Sequence, residues 1–503
     1  MFESVVFLAP RKSAGRVCIR KLRSYRRFKL NDQKRFKEAI ISTPSSISKW
    51  VGTFLGFAIF FFIATSLWAW ISHKDIGEAP PPWNIDGIFY DNLGFNIHHG
   101  DGMTADFRAQ PWRQTYEELN QERRYQWVMT IEGSGPTTMR SPGYPAFLAS
   151  HYNLFGWRWD AARIGGLLIA SLGLSLVMTW CWFGFGPTAA VIAAATLVAD
   201  YSVMQSASMI ASEPLALFFL MVFLVILLRA YESPSLVNWG IAGVVFGLMM
   251  LTRGNWNLWF LLMITASILF LSPSVRNVLS PVGLKHVLVF LLVSASVALP
   301  WWIRNCQMTG QFQPFGTAGA NGLVGAYCDA SLNDFGNWQN QMYQQNQLEV
   351  RSIANTSGIT LAEREYLTGK SSTKKAFTWV GGNWHQLPKL GLYRLLSHWG
   401  LTNPTVPLVA QIGNITLVLL GLLGCFSLRG RARHVVIFIL LVDTMGVMLT
   451  WAHVGRYAIP LRPLVHVGLA TLLAGLIGWF KTSHSEKALN HKKGCQKRVR
   501  RNR

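Results

Sequence analysis

Ten apolar runs, each close to the roughly 20 residues that cross a bilayer, constrain this chain more than any other feature. They are Lys49–Ser72, Arg163–Phe183, Thr188–Met204, Glu213–Leu228, Val237–Leu251, Asn255–Leu271, Val287–Ile303, Val406–Phe426, His434–Thr450 and Ala458–Phe480. The second and third are separated by Gly186-Pro187, a pair that interrupts a helix. Half of the residues are apolar and 14% charged, where an ordinary soluble domain carries about a quarter charged residues. That balance excludes a disordered chain, a disulfide-stapled mini-protein and a typical soluble enzyme. The expected fold is all-α and polytopic, a bundle of about ten transmembrane helices.

The charge pattern orients the bundle. The formal net charge is +23, but residues 1–49 hold thirteen Lys/Arg against three acids and residues 481–503 hold nine against one. Most of the excess therefore sits in two tails outside the apolar body. Stretches such as Lys21-Leu22-Arg23-Ser24-Tyr25-Arg26-Arg27 lack the interleaved aromatics and folded platform of a nucleic-acid surface, so no nucleic-acid partner is expected. The positive-inside rule accounts for both tails, held in the cytoplasm against membrane lipids. An even number of spans puts the tails on one side, and the short basic connections at Arg229, 276–285 and 429–433 fall there too. The first apolar run follows forty-odd basic and polar residues and is long enough to remain as an anchor rather than be cleaved. The expected organisation is a basic tail (1–49), a transmembrane core (50–303) containing a first extracytoplasmic loop (73–162), a second such loop (304–405), C-terminal transmembrane helices (406–480) and a basic tail (481–503).

Loops of that length carry function more often than they merely connect. Cys18, Cys181, Cys425 and Cys495 fall in tails or spans, which leaves Cys306 and Cys328 on the oxidising side, bonded or free. No Walker A loop, GxGxxG, metal-type CxxC or internal repeat is present, so a nucleotide-driven pump is unsupported. His98, His99 and Asp101 imitate a metal cluster but read as loop residues, because adjacent histidines cannot share one helix face.

Directly after the first span stands Pro80-Pro81-Pro82-Trp83-Asn84-Ile85-Asp86-Gly87-Ile88-Phe89-Tyr90, and later in the same loop Met139-Arg140-Ser141-Pro142-Gly143-Tyr144-Pro145. Ser212-Glu213-Pro214-Leu215, Leu251-Thr252-Arg253-Gly254, Leu299-Pro300-Trp301-Trp302-Ile303-Arg304-Asn305 and Gly455-Arg456-Tyr457-Ala458-Ile459-Pro460 follow in order. Each piece is weak alone. Together, over roughly residues 50–480, they resemble the GT-C glycosyltransferases that use polyprenyl-phosphate sugars. Within that superfamily the chain is most similar to the bacterial protein O-mannosyltransferase-like and lipid A aminoarabinose transferase-like family. It departs from that pattern at Gly87, where relatives often have a second acid, at Phe89 in place of a basic residue, and at Met139 in place of a metal-binding acid. A divalent metal is therefore left open.

The resemblance implies an inverting transfer of a monosaccharide, on the extracytoplasmic face of the cell membrane, from a polyprenyl-phosphate donor to a protein, lipid or glycan acceptor. Such a reaction needs a base for a poorly nucleophilic acceptor, and a carboxylate at the membrane boundary suits it; Asp86 takes that role. It also needs cations aimed at a phosphate that gains charge as its bond breaks. Arg140, Arg253, Arg304 and Arg456 are the candidates, since a guanidinium fork matches two phosphate oxygens. Each arginine alone also reads as a helix-end anchor, although short external basic ends run against positive-inside statistics. Glu213 either favours its helix through the N-terminal dipole or orients the acceptor or an arginine. Tyr90, Tyr144 and Tyr457, inside the motifs, are candidates for substrate contact. A lipid-linked donor needs a lateral groove that Trp and Phe side chains could line, although most of them read as core or interfacial-belt residues, and the position of the polar stretch Asn333–Gln347 suggests a lid. The rival readings are a lipid-linked sugar flippase or transporter, and an oligosaccharide ligase or polymerase.

Overall fold

The computed structural model describes residues 44–72, 85–119, 133–269, 283–354, 358–402, 407–450 and 455–501. The N-terminal basic tail to residue 43 and the Pro80–Trp83 stretch lie outside them. Every expected apolar run forms a helix. Among the described residues seven helices are long and apolar enough to cross a membrane: Ile47–Ser72, Trp159–Phe185, Glu213–Glu232, Leu284–Thr309, Leu408–Cys425, Gly430–Leu449 and Arg456–Phe480. The helices Pro187–Val198 and Tyr201–Ala207, bent by 72°, pass the same test as a pair, which makes them a broken span or a re-entrant loop. The last two expected spans are the shorter apolar helices Leu236–Thr252 and Trp256–Thr265. The chain is a multi-pass, all-α membrane protein.

Lipid explains an otherwise inverted surface. On the first span Leu55, Ile59 and Ile63 are half to two-thirds exposed, which costs nothing where the surroundings are as apolar as leucine. The interior is held partly by polar contacts. At the bent pair Asp200 caps the second helix through Ser202 N (3.1 Å) and accepts from Arg462 Nε (2.5 Å) and His466 Nε2 (2.9 Å). Arg462 in turn donates to Asn414 Oδ1 at 2.7 Å. Asp200 thus has a partner set of its own, tying the bent helix pair to the last span.

The two polar segments are folded rather than open. In the first, the helix Ile85–His98 packs on the helix Gly143–Phe155, and a two-stranded antiparallel ribbon (β1, Thr104–Asp106; β2, Ser134–Pro136) lies beside them. Asn92 imitates a further strand, donating to Asp106 O (2.8 Å) and accepting from Asp106 N (3.0 Å). In the second, the helices Ala318–Ala326, Asn340–Ala354 and Leu361–Asn383 pack together. The expected lid is thus partly helical. The Leu284–Thr309 helix runs past the expected end at Ile303, so Arg304 lies inside it. Cys306 and Cys328 are free thiols.

Asp91 is the polar centre of the first segment. It is fully buried and accepts from Trp112 Nε1 (2.8 Å), Tyr116 OH (2.9 Å), Tyr152 OH (2.6 Å), Trp157 Nε1 (3.2 Å) and Trp159 Nε1 (3.0 Å). These neutral donors come from three helices and the connection between two of them. Burial pushes its carboxyl above the usual value, although the hydrogen bonds pull the other way. A carboxyl whose pKa is raised on folding stabilises most below its unfolded value, and loses that contribution as pH rises through the folded one. Asp91→Asn, which puts an amide N–H₂ against these donors, is expected to cost about 2 kcal/mol. The melting-temperature gap between wild type and variant in detergent should be wider at pH 5 than at pH 8; a gap that widens towards pH 8 would contradict this reading.

Candidate active site

Five of the six expected charged residues form one chain of alternating sign. Asp86, in the first turn of its helix, accepts at Oδ1 from Arg140 Nη2 and at Oδ2 from Arg456 Nη1. Arg456 Nε donates to Glu213 Oε1 at 2.5 Å, and the same oxygen faces Arg253 Nη2 at 3.5 Å. Three guanidinium groups against two carboxylates leave one formal positive charge in excess. The burial is graded: Glu213 and Arg253 are buried, whereas the side chains of Asp86, Arg140 and Arg456 keep 21–25% exposure. The open end of the chain is therefore the end that carries Asp86.

The motif around Arg140 has a packing reason. A Cβ on Gly143 would lie 2.8 Å from Leu251 O, so only glycine lets the start of the Gly143–Phe155 helix sit on the end of the Leu236–Thr252 helix, directly before Arg253. Arg456 opens a 3₁₀ turn (Arg456–Leu461), behind Gly455, whose N–H is held by Ser397 O at 2.7 Å. Glu213 stands at a helix start and against arginines. It occupies the first turn of its helix, where the dipole favours an acid, and it also binds two arginines.

Aromatic rings wall the cluster. The Arg140 guanidinium lies 5.5 Å from the Phe89 ring centroid and 5.8 Å from that of Tyr90. Tyr90 meets Tyr144 edge-on at 5.0 Å, and Arg253 lies over Tyr457 at 5.3 Å. All three expected tyrosines are thus in place. Burial raises the Tyr90 phenol pKa, which keeps it a neutral donor. Arg140 Nε and Glu213 Oε2 are buried without a hydrogen-bond partner among the described residues.

Arg304 departs from expectation. It donates to Thr137 O (2.9 Å) and Met103 O (3.0 Å) and lies over Trp301 at 4.6 Å, away from the carboxylates that the other three arginines share. It clasps the ribbon that leads to Arg140, because the helix carries it past the expected boundary. Sequence reasoning missed Tyr343, whose hydroxyl lies 3.9 Å from Met139 Sδ, and Glu365, treated below. Neither falls in a motif, and no local spacing distinguishes them from other polar helix residues.

The donor set does not fit a hard divalent cation. Such ions want several carboxylate or carbonyl oxygens; here both acids of the cluster are held by guanidinium groups. At Met139, where relatives carry an acid, a thioether meets Asn321 Nδ2 (3.7 Å) and Tyr343. His98 and His99 bond to Asn153 Oδ1 (2.6 Å) and Phe95 O (2.9 Å), and the described residues contain no cluster of three or more metal-type side chains. An apolar groove of about 650 Å³ opens between the helices Trp256–Leu269 and Leu284–Thr309, lined by Phe260, Leu299, Trp302, Ile303, Phe312 and Phe315 among others.

Residues 139–302 match the model of the dolichyl-phosphate-mannose-protein mannosyltransferase family, a stretch that contains Arg140, Glu213 and Arg253. The match covers about a third of the chain. Among solved structures, ArnT from Cupriavidus metallidurans is 15% identical; in its apo state 82% of this chain aligns with 76% of that one, at a TM-score of 0.35. The same enzyme bound to undecaprenyl phosphate aligns over 84% and 77% at 0.36, again at 15% identity. The archaeal oligosaccharyltransferase AglB from Archaeoglobus fulgidus, in complex with an inhibitory peptide and a dolichol-phosphate, aligns over 87% of this chain and 51% of its own at 15% identity and 0.44. No curated protein matches the chain.

Removing one partner of a buried ion pair costs about 3–5 kcal/mol, far more than the same change near water. Arg456→Met strips the buried Glu213 of its closest cation and is expected to lower stability by about 3 kcal/mol. Arg140→Met leaves only the partly exposed Asp86 short of a partner and is expected to cost about 1 kcal/mol. Chemical denaturation in detergent checks the order, and equal losses would contradict the graded burial.

Proposed function

We propose that this protein is an integral-membrane glycosyltransferase that moves a monosaccharide from a polyprenyl-phosphate donor to an acceptor outside the cytoplasm, with inversion. The observation that carries the proposal is the alternating chain from Arg140 through Asp86, Arg456 and Glu213 to Arg253, with its one excess positive charge and its exposed end at Asp86. The donor phosphodiester carries one negative charge, which that excess would balance. As the sugar C1–O bond breaks, a second charge develops on the phosphate, and Arg140 and Arg456 are already aimed there. Preorganised donors of this kind are worth several kcal/mol each.

The base follows from the same arrangement. An acid bridging two arginines is a poor proton acceptor, because both cations favour its charged form. A phosphate that draws Arg140 and Arg456 towards itself loosens their hold on Asp86 and makes the carboxylate a better base when the donor is bound. The acceptor hydroxyl or amine attacks C1 from the face opposite the phosphate, its proton passes to Asp86, and the electron pair of the broken bond leaves with the phosphate. Arg253 holds Glu213 in place, and Glu213 holds Arg456. The apolar groove beside Trp302 suits a polyprenyl chain entering from the bilayer. The basic tails support a cytoplasmic location for both termini, which puts the site on the opposite face. The division into tails, core and two polar segments is part of this proposal and rests on the apolar runs.

Purified protein in liposomes, given labelled polyprenyl-phosphate mannose or aminoarabinose and a membrane extract as acceptor source, tests the reading. Asp86→Asn is expected to lower transfer by about 10³-fold. Wild-type transfer by that variant would remove the base. Translocation of the labelled lipid with no product would make the protein a flippase, and use of oligosaccharide donors alone would make it a ligase or polymerase.

A further inference from the structure

The segment that ends in Arg140 is gripped from outside the site. β2 leads into Thr137-Thr138-Met139-Arg140. Thr137 N donates to Met103 O at 3.1 Å and Thr137 O accepts from Arg304 Nη1 at 2.9 Å. Thr138 O accepts from Thr317 N at 3.2 Å, and Met139 N donates to Thr137 Oγ1 at 3.1 Å. The Thr138 hydroxyl also meets the Thr317 hydroxyl at 3.1 Å, and further hydrogen bonds of this stretch converge on one side chain from the Leu361–Asn383 helix. Glu365 accepts from the Thr137 hydroxyl, from Thr138 N (2.9 Å), from the Thr138 hydroxyl (3.1 Å) and from the Thr317 hydroxyl (3.4 Å). It is buried, with 7% of its surface exposed. The fit is close: a Cβ on Gly316 would lie 2.3 Å from Thr138 O, so no other residue permits Thr317 to reach both Thr138 and Glu365.

An acceptor-only carboxylate matches four donors, which an amide or hydroxyl in its place cannot do. A carboxylate buried among neutral donors is costly to keep. Here it binds the residues immediately before Arg140, while the Arg140 side chain itself has an unpartnered Nε and one carboxylate partner. The aim of that guanidinium therefore comes from its backbone, which Glu365 holds together with Arg304, Met103 and Thr317.

We propose that Glu365 is the positioning residue of the phosphate site: its four hydrogen bonds from Thr137, Thr138 and Thr317 fix the backbone from which Arg140 reaches Asp86. The proposal rests on the reading of Arg140 as a phosphate ligand. It gives the second polar segment a defined task, which is to set the catalytic geometry of the first. Tyr343, on the neighbouring helix, meets the Met139 side chain through its hydroxyl at 3.9 Å from the sulfur.

The test compares wild type, Glu365→Gln, Thr138→Val, Thr138→Ser, Arg140→Lys and the Glu365→Gln/Arg140→Lys double variant, each full-length in detergent. Hydrogen exchange comes first, because it needs no turnover. Amides of 134–140 are expected to exchange about tenfold faster in Glu365→Gln and Thr138→Val, with those of 159–185 unchanged and Thr138→Ser close to wild type. In the liposome assay kcat is expected to fall about 10–100-fold in Glu365→Gln, with the donor KM within about threefold. In the Arg140→Lys background the same change is expected to cost less than about twofold, because the aim of a side chain already lost cannot be lost again. Unchanged exchange across 134–140, or the full loss persisting beside Arg140→Lys, would overturn the proposal. Asp86→Asn in the same series separates the two ideas. Wild-type transfer by that variant sinks the catalytic reading whatever Glu365 does. A dead Asp86→Asn with a fully active Glu365→Gln sinks only the positioning role.

Discussion

One carboxylate shared by two arginines organises this molecule. Arg140 and Arg456 stand 316 positions apart in the chain and meet on the two oxygens of Asp86. Neither cation belongs to the helix that carries the acid. For the contact to form, the Ile85–His98 helix, the turn before Gly143 and the 3₁₀ turn at Arg456 must converge, and the Glu213 helix with them. Taking such charges part-way out of water is unfavourable unless their geometry is good. The arrangement satisfies that condition by alternating sign, with the deepest members, Glu213 and Arg253, paired in the driest part. What is left over is one positive charge at the wetter end, a standing preference for an anion.

The protein uses acids in two ways that their surroundings distinguish. Asp86, Glu213 and Asp200 are each bound by arginine. Asp91 and Glu365 have donors that are all neutral, tryptophan indoles and phenols in one case and threonine hydroxyls and an amide in the other. Burial raises the pKa of both. A carboxylate of the second kind gathers several distant segments around one point without adding a cation next to the reactive cluster. Asp91 gathers the first polar segment in this way, and Glu365 joins the second segment to it. The two folded segments thereby become a frame for Arg140 and Asp86.

Much of this was legible in the sequence for a physical reason. Membrane spans are written as apolar runs, and all ten runs contain helix, seven of them long enough to cross a bilayer among the described residues, with the Gly186-Pro187 break in place. The motifs around Asp86, Arg140, Glu213, Arg253 and Arg456 are local, and a local pattern survives in a linear reading. The errors arose where a role depends on partners far along the chain. Arg304 has the same local context as Arg253, a basic residue near the end of an apolar run, yet three further turns of thought about its helix would not reveal that its fork meets Thr137 O and Met103 O. Glu365 lies 227 residues from Thr138, in a helix whose visible signal is only its cap, Thr360 and Glu363. Asp91, five residues after Asp86, reads as another loop acid until the five aromatic donors converge on it.

The central claim is that Asp86 occupies, in the resting protein, the guanidinium groups that a donor phosphate would take. Determining the structure with polyprenyl phosphate bound tests it most directly. The account predicts a phosphate seated between Arg140 and Arg456, with at least one of their bonds to Asp86 broken and the Arg253–Glu213 contact kept. A phosphate bound elsewhere, with both arginines still closed on Asp86, would contradict it.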